Sequence, residues 1–118
     1  IFVTSVSVDM SSPSRTEYCV AKAGLSHLAT ICAHRLARHG IGVYEVRQGV
    51  VTTDMTASVK EKYDSLIAEG LIPQGRWGEP EDIASLICWL LDSRNNWITG
   101  QVIAVDGGLS SVMQRQKR

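Results

Sequence analysis

The chain has 118 residues, enough for one domain or for part of one. It is 44% hydrophobic and 20% charged with a formal net charge of zero, which predicts a globular protein without overall attraction to nucleic acid or to an anionic membrane. The apolar runs are too short to span a bilayer. Three cysteines outside any Cys-x-x-Cys motif predict a reducing, cytoplasmic location.

A strand and a long helix are predicted in the first third of the chain. Residues 1–6 are short and β-rich, and a Ser/Pro-rich loop follows them. Residues 16–39 have the apolar spacing of a helix, with Thr16 as its predicted cap and Gly40 as its stop. The predicted apolar stripe of this helix consists of Ala21, Leu25, Leu28, Cys32 and Leu36.

Two more strands and two shorter helices follow. Strands are predicted at residues 41–46 and 101–105, and helices at 57–69 and 82–91. This β-α-β-α-β order, with long helical connections, predicts an α/β fold with parallel strands, right-handed crossovers and one unpaired sheet edge. Residues 110–118 are expected to form a flexible basic tail. The first residues look like the inside of a strand, so we expect the polypeptide to begin within a domain.

Tyr18 and Lys22 are the most informative pair of polar residues. They lie four positions apart in a predicted helix, so they share one face, one turn apart. A phenol is a poor acid or base near neutral pH, but a neighbouring ammonium and the start of a helix both favour its ionised form. Ser5, thirteen positions earlier, could hydrogen-bond the reacting oxygen. The spacing predicts a site for proton transfer to a carbonyl, although a surface tyrosine beside a solvated lysine is the alternative.

Five segments resemble, in order and spacing, motifs of the short-chain dehydrogenase/reductase family. They are the serine-bearing strand end at 4–7, the Tyr-x-x-x-Lys helix at 18–25, the cofactor segment at 48–55, the helix entry at 76–84 and the last strand at 99–108. The resemblance runs from Ile1 to about Leu109 and is closest in character to 3-oxoacyl-[acyl-carrier-protein] reductases. It implies that residues 1–109 are the C-terminal catalytic half of a doubly wound parallel-sheet (Rossmann-like) fold, lacking the N-terminal nucleotide-binding half.

The resemblance also implies a reaction. It is the interconversion of a ketone and a secondary alcohol with NAD or NADP, and reduction of a 3-oxoacyl thioester is one candidate. Tyr18 would be the general acid in reduction and the base in oxidation. Lys22 would favour the tyrosine's ionised form and hold the nicotinamide ribose hydroxyls, and Ser5 would orient the substrate oxygen. No metal is implied, because the three histidines are not spaced as a ligand set.

The cofactor segment carries further implied contacts and one open alternative. Gly49, the Val51 backbone and the Thr53 side chain would bind the nicotinamide end of the cofactor, although Thr53 could instead only cap the following helix. Gln48 stands where the family usually has proline, and Tyr44 where many members have asparagine. Both departures lower the expected precision of cofactor placement.

Several family elements are not found in these 118 residues. They include the glycine-rich phosphate turn, the Asn-Asn-Ala-Gly stretch and the fourth catalytic residue, an asparagine. We therefore expect the chain to hold half a site, with the missing half, a small carbonyl or alcohol substrate and further copies in a dimer or tetramer as partners. The alternative is an inactive half that serves as an assembly or binding module. Residues 55–75 are expected to line the substrate pocket through Met55, Val59, Tyr63, Leu66 and Ile67.

Overall fold

The computed structural model describes residues 1–111, and these form a parallel sheet with helices on both faces. The elements in chain order are β1 (Phe2–Ser5), α1 (Thr16–Leu36), β2 (Tyr44–Gln48), α2 (Lys60–Ala68), α3 (Pro80–Leu90) and β3 (Gln101–Val105). The strand order is β1-β2-β3, and Val46 of β2 lies between Val3 and Ile103 in the register. The predicted α/β fold with parallel strands is confirmed.

The two faces of β2 contact different helices. Glu45 points to α1, where it accepts a hydrogen bond from Ser26, whereas Val46 points to the opposite face and packs in a cluster with Ile83 of α3. The crossover from β1 to β2 and the crossover from β2 to β3 move across the sheet in the same direction, but their helices cover opposite faces. The two crossovers therefore have opposite hands, so the expectation of right-handed crossovers is wrong for one of them. The connection from β2 to β3 spans residues 49–100 and carries two helices, so it is not the compact unit to which that rule applies.

The start of α1 differs from the prediction. Thr16 is the first helical residue and its hydroxyl donates to the Pro13 carbonyl, so the cap position falls to Arg15. The reason is that residues 13–15 already form a 3-10 turn leading into the helix. The predicted stop is confirmed, because Gly40 has a φ of 69° in the left-handed region that favours glycine.

The buried face of α1 also differs from the predicted leucine-containing stripe. Ser26, Ala29 and Ala33 are its buried residues, whereas Leu28 is 47% exposed and Ala21 is exposed. The helix therefore meets the sheet through small side chains, and side-chain hydropathy alone does not identify its buried face. The remaining members of the predicted stripe, Leu25, Cys32 and Leu36, are half-buried.

The other boundaries are close to those predicted, with one shift in β2. The strand predicted at 41–46 pairs only from Tyr44 onward and continues to Gln48, while β3 has its predicted bounds. A 3-10 segment at Asp54–Val59 precedes α2, and α3 begins at Pro80 in the first helical position.

Two statements hold for the described residues as a whole. No helix within residues 1–111 has both the length and the apolar character needed to cross a membrane. Leu109–Ser111 forms a short 3-10 turn, and the rest of the predicted basic tail, from residue 112 on, lies outside the described residues.

Candidate active site

The carboxyl ends of the three strands meet at one edge of the sheet. Ser5 at the end of β1 lies in register with Gln48 at the end of β2, and Gln48 lies in register with Val105 at the end of β3. The predicted cofactor segment begins directly after Gln48. Because ligands of open parallel sheets bind at this edge, Ser5 and residues 49–53 reach the expected place together.

Tyr18 and Lys22 lie side by side on the first turns of α1. The ammonium nitrogen of Lys22 is 5.7 Å from the centroid of the Tyr18 ring, and it donates a 3.2 Å hydrogen bond to the carbonyl of Val3. Val3 is two residues before Ser5, so this bond ties the helix to the strand that carries the serine. The arrangement places a cation beside a half-buried phenol at the sheet edge.

Ser5 is only 6% exposed and closes the turn that follows β1. Its hydroxyl oxygen accepts a 3.1 Å hydrogen bond from the backbone N–H of Ser7. Within residues 1–111 no hydrogen bond joins the side chains of Ser5 and Tyr18. The structure therefore brings Tyr18 and Lys22 together directly and places Ser5 at the neighbouring strand end, with its hydroxyl proton free to be donated.

Val51 leaves one backbone donor open in the cofactor segment. It forms a parallel bridge with Gly78 in which the peptide groups of Val50 and Thr52 make the hydrogen bonds, at 2.9 Å each. The Val51 carbonyl accepts from the Thr56 hydroxyl at 2.9 Å, whereas its N–H has no acceptor among the described residues. A buried residue with an open N–H is suited to hold an amide oxygen.

Thr53 caps the segment that follows. Its side chain and that of Thr56 form a reciprocal capping box, with a 2.9 Å bond from the Thr53 N–H to the Thr56 hydroxyl. The alternative in which Thr53 caps a helical segment is therefore present in the structure. Thr53 is also exposed, so a contact with cofactor stays a prediction beside that role.

Gly49 is required by close packing of two backbones. A Cβ atom at this position would lie 2.8 Å from the Cα and 2.7 Å from the Cβ of Asp106, while the Gly49 N–H donates to the Val105 carbonyl at 3.0 Å. Glycine thus lets the start of the cofactor segment lie against the end of β3. A direct contact of Gly49 with cofactor stays a prediction.

The two departures from the family pattern have visible structural consequences. Gln48 keeps its place in the ladder beside both Ser5 and Val105, so β2 extends to the residue where the family has proline. The Tyr44 hydroxyl shares its one proton between the Ile98 carbonyl at 2.8 Å and the Asn95 carbonyl at 3.2 Å. Tyr44 therefore holds the loop before β3.

A buried charged network that the sequence analysis missed connects β1, β2 and α1. The Glu45 carboxylate accepts hydrogen bonds from Thr4 at 2.5 Å, Ser26 at 2.8 Å and Arg47 at 2.8 Å, and Arg47 also pairs with Asp9 in the loop after Ser5. Burial by itself raises the pKa of Glu45, but the bonds from Arg47, Thr4 and Ser26 outweigh it and hold that pKa below its ordinary value. A carboxylate inside an apolar strand was the available sequence signal.

Arg15 is a second residue that the sequence analysis missed. Its guanidinium carbon lies 4.1 Å from the centroid of the Tyr18 ring, on the face of the aromatic system. The signal was its position three residues before Tyr18, which places the two on neighbouring sides of one turn. The candidate tyrosine is thus in contact with two cations, Arg15 and Lys22.

The segment predicted to line the substrate pocket packs in two ways. Met55 is 87% exposed, whereas Ile67 is buried. Tyr63 meets the Trp77 ring edge-on at 5.7 Å between centroids, and the Trp77 indole N–H donates to Asp64 at 2.7 Å. Trp77 therefore attaches α2 to the loop that precedes α3.

Comparison with known proteins identifies the family. Residues 1–110 match the family model described as enoyl-(acyl carrier protein) reductase. The chain is 35% identical over 112 residues to the 3-oxoacyl-[acyl-carrier-protein] reductase of Rickettsia bellii, covering 95% of this chain and 46% of that protein. It is 36% identical over 109 residues to the human (3R)-3-hydroxyacyl-CoA dehydrogenase, covering 92% of this chain and 41% of that protein.

A solved structure agrees with these sequence matches. The crystal structure of a 3-oxoacyl-[acyl-carrier protein] reductase from Brucella melitensis in complex with NAD superimposes with a TM-score of 0.91 at 46% identity, covering 94% of this chain and 44% of that one. The chain thus spans less than half the length of each of these relatives. On the match to the family model and on these identities, the chain belongs to the short-chain dehydrogenase/reductase family.

Proposed function

We propose that the protein containing this chain interconverts a ketone and a secondary alcohol with NAD or NADP, using Tyr18 as the acid–base residue. The observation that carries the proposal is the pairing of Tyr18 with Lys22, tied to the strand of Ser5. The names of the relatives, a 3-oxoacyl reductase and a 3-hydroxyacyl dehydrogenase, support a carbonyl and alcohol pair. A 3-oxoacyl thioester is the leading candidate substrate.

The residues at the sheet edge fit the nicotinamide end of the cofactor. The open N–H of Val51 would hold the carboxamide oxygen, and Thr53 offers an exposed hydroxyl beside it. Lys22 uses one donor for the Val3 carbonyl and has two more for the ribose hydroxyls. When bound, the nicotinamide supplies or accepts the hydride.

The proton chemistry falls to three side chains of this chain. In reduction Tyr18 donates its hydroxyl proton to the substrate oxygen while the carbonyl carbon receives the hydride. Ser5 donates a hydrogen bond to the same oxygen and holds it in place. The Lys22 ammonium stabilises the phenolate that remains on Tyr18. In oxidation the same groups act in reverse, with Tyr18 as the base.

The proposal includes parts of the protein outside these 118 residues. The relatives are more than twice as long, so we propose that a nucleotide-binding half completes the phosphate and adenosine subsites. We also propose a homo-oligomer, since α1 exposes Val20, Leu28 and Ile31. A cytoplasmic location fits the free cysteines among the described residues.

Replacement of Tyr18 by Phe in the full-length enzyme tests the function. Loss of the only proposed acid–base group should lower the hydride-transfer rate by about 10²- to 10⁴-fold, measured from NAD(P)H absorbance. Tyr44→Phe is the matched control, because it removes a hydroxyl bonded to the loop before β3 and should keep the wild-type rate. A Tyr18→Phe enzyme as fast as the control would contradict the assignment.

A second candidate function is an inactive assembly module. The exposed apolar residues Val20, Leu28 and Ile31 on α1 favour it, because such a surface pairs well with a partner helix. Sedimentation velocity separates the two candidates when it is combined with the activity assay. An oligomer without oxidoreductase activity supports the module, whereas an active enzyme that depends on Tyr18 excludes it.

A further inference from the structure

The turn that follows β1 has the candidate residue Ser5 at its start and Asp9 at its end. Ser5 caps the 3-10 turn Val6–Val8, because its hydroxyl oxygen accepts a 3.1 Å hydrogen bond from the Ser7 N–H. At the other end the Asp9 N–H donates to the Val6 carbonyl at 3.2 Å. Only the three residues of the turn separate Ser5 from Asp9, so a displacement of one end also changes the other.

Arg47 on β2 connects this turn to the interior of the protein. Its guanidinium donates to the Asp9 carboxylate through Nη1, to Glu45 through Nε at 2.8 Å and to Ser26 through Nη2 at 3.1 Å. The side chain of Arg47 is 17% exposed and that of Glu45 is 2% exposed, whereas that of Asp9 is 72% exposed. An exposed loop residue is thus bonded to a cation that is anchored among buried groups.

This anchoring makes the pair of Asp9 and Arg47 different from most surface ion pairs. Exposed pairs usually contribute little, in part because both side chains lose conformational freedom when they meet. Arg47 has already lost this freedom, since Glu45 and Ser26 hold its guanidinium in one orientation. Only the short side chain of Asp9 has to be ordered. The pair can therefore hold the end of the turn more firmly than an ordinary surface pair would.

The orientation of the Ser5 hydroxyl depends on the same turn. The Ser7 N–H occupies a lone pair of the Ser5 oxygen and leaves the hydroxyl proton for another acceptor. Without that bond the side chain can rotate among three staggered orientations. We propose that Asp9 and Arg47 are positioning residues, which keep the Ser5 hydroxyl directed at the substrate oxygen by closing the turn that follows it. This inference rests on the proposed function and adds two residues to the site.

Two other roles for Asp9 predict different effects. If Asp9 contacted the substrate or the cofactor itself, its loss would lower kcat or raise KM whether or not Ser5 is present. If it only stabilised the loop, its loss would lower thermal stability and leave kcat of the folded enzyme unchanged. A residue that acts through Ser5 lowers kcat only while the serine hydroxyl is there, so a double variant separates the three roles.

The test compares Asp9→Ala, Ser5→Ala and the double variant in the full-length enzyme, with the N-acetylcysteamine thioester of 3-oxobutanoate as substrate. Asp9 is the better site for substitution than Arg47, because its side chain is exposed and its loss leaves no buried carboxylate without a partner. The melting temperature of each variant shows that it is folded at the assay temperature.

We expect Asp9→Ala to lower kcat about 5- to 30-fold with KM unchanged, and to lower it no further in the Ser5→Ala background. The loss is smaller than the roughly 100-fold that a misplacement of about 1 Å can cost, because the freed hydroxyl still samples the productive orientation. Asp92→Ala is the matched control. Asp92 also pairs with an arginine, Arg94, but in the loop that leads to the amino end of β3, so kcat should stay at the wild-type value.

Three results would overturn the inference. They are an unchanged kcat in Asp9→Ala, an equal loss from Asp9→Ala with and without Ser5, and a Ser5→Ala enzyme as fast as the wild type. If the wild-type enzyme did not reduce the thioester, the proposed function would fail by itself. Hydrogen exchange would then decide on the turn: the Ser7 amide should exchange about 3- to 10-fold faster in Asp9→Ala than in the wild type or in Asp92→Ala, as loss of an ordinary hydrogen bond predicts, and equal exchange overturns the inference.

Discussion

Removal of the Glu45 carboxylate should strongly destabilise the protein. Glu45 is 2% exposed and accepts hydrogen bonds from Thr4, Ser26 and Arg47, which lie on β1, α1 and β2. Glu45→Ala removes all three acceptor contacts at once and leaves the Arg47 guanidinium, itself largely buried, with Asp9 as its remaining carboxylate partner.

The expected magnitude follows from these contacts. Each hydrogen bond to a charged group contributes about 1.5–3 kcal/mol, but the sum of three overstates the loss, because the variant also removes the desolvation cost of the carboxylate. Breaking a buried charged pair by removing one partner costs about 3–5 kcal/mol, and we expect Glu45→Ala to fall in that range. Ser26→Ala, which removes one donor, should cost about 1–3 kcal/mol.

The assay is urea denaturation of the full-length protein at fixed protomer concentration, with Glu69→Ala as an exposed control. The control should change the free energy of unfolding by no more than about 0.5 kcal/mol. If Glu45→Ala lost less than about 1 kcal/mol, the network would not be a source of stability and the reasoning would be refuted.

The pH dependence of stability gives an independent check on Glu45. Its pKa is lowered in the folded protein, so the unfolded chain binds more protons in the window between the folded and the ordinary value of 4.5. The contribution of Glu45 is therefore complete above pH 4.5 and is lost as the pH falls through the lowered value. Glu45→Gln should make the stability less dependent on pH in this acid window.

Two further predictions concern backbone packing and acid stability. Gly49→Ala should destabilise the protein by about 1–3 kcal/mol, because the added Cβ would meet the backbone of Asp106. Gly24→Ala is the control and should not destabilise it, because the space around Gly24 is open. Equal denaturation midpoints for the two variants would contradict this prediction. A hydrogen bond from Arg76, and next one from the Glu79 backbone N–H, lower the pKa of Asp82 to about 2. The stability that this carboxylate contributes is therefore present above its ordinary pKa of 3.8 and is lost as the pH falls towards 2. Asp82→Asn should therefore flatten the acid limb of a thermal-stability profile, and an unchanged limb would contradict the assignment.

The elements with local signals could be predicted well from the sequence. Gly100 and Gly107 bound β3, and its predicted range agrees with the structure. The start of β2 could not be predicted, because residues 41–43 are as apolar as the paired residues and only the partner strands determine where the ladder begins. Glycines that flank an element can be recognised in the sequence, whereas the residues at which strand pairing begins and ends depend on distant strands.

The face of α1 shows the same limit in a helix. Val20 and Leu28 are exposed while Ser26 and Ala29 are buried, so hydropathy and burial disagree along this helix. Periodicity cannot tell which of two apolar faces meets the sheet when both carry apolar residues. The decision depends on how closely the backbones approach, which small residues permit and leucine does not.

The candidate site was predictable where its geometry is local. The adjacency of Tyr18 and Lys22 follows from one helical turn. The bond between Ser26 and Glu45 joins residues 19 positions apart, so no local pattern predicts it. Arg15 was within local range, but cation–π stacking depends on the rotamer that the preceding 3-10 turn allows.

The Ser26–Glu45 bond has a consequence for how the helix is oriented. Tyr18, Lys22 and Ser26 follow one another at intervals of four, so they form a single line along α1. A helix that packs through small side chains meets little steric resistance to rotation about its own axis. The hydrogen bond from Ser26 to Glu45 on β2 limits this rotation. Together with the bond from Lys22 to the Val3 carbonyl, Glu45 thereby ties the helix that carries Tyr18 to the sheet at two points. A design that transfers Tyr18 and Lys22 to another helix would therefore need a residue equivalent to Ser26 as well. Without it, the orientation of the pair relative to the sheet would not be fixed.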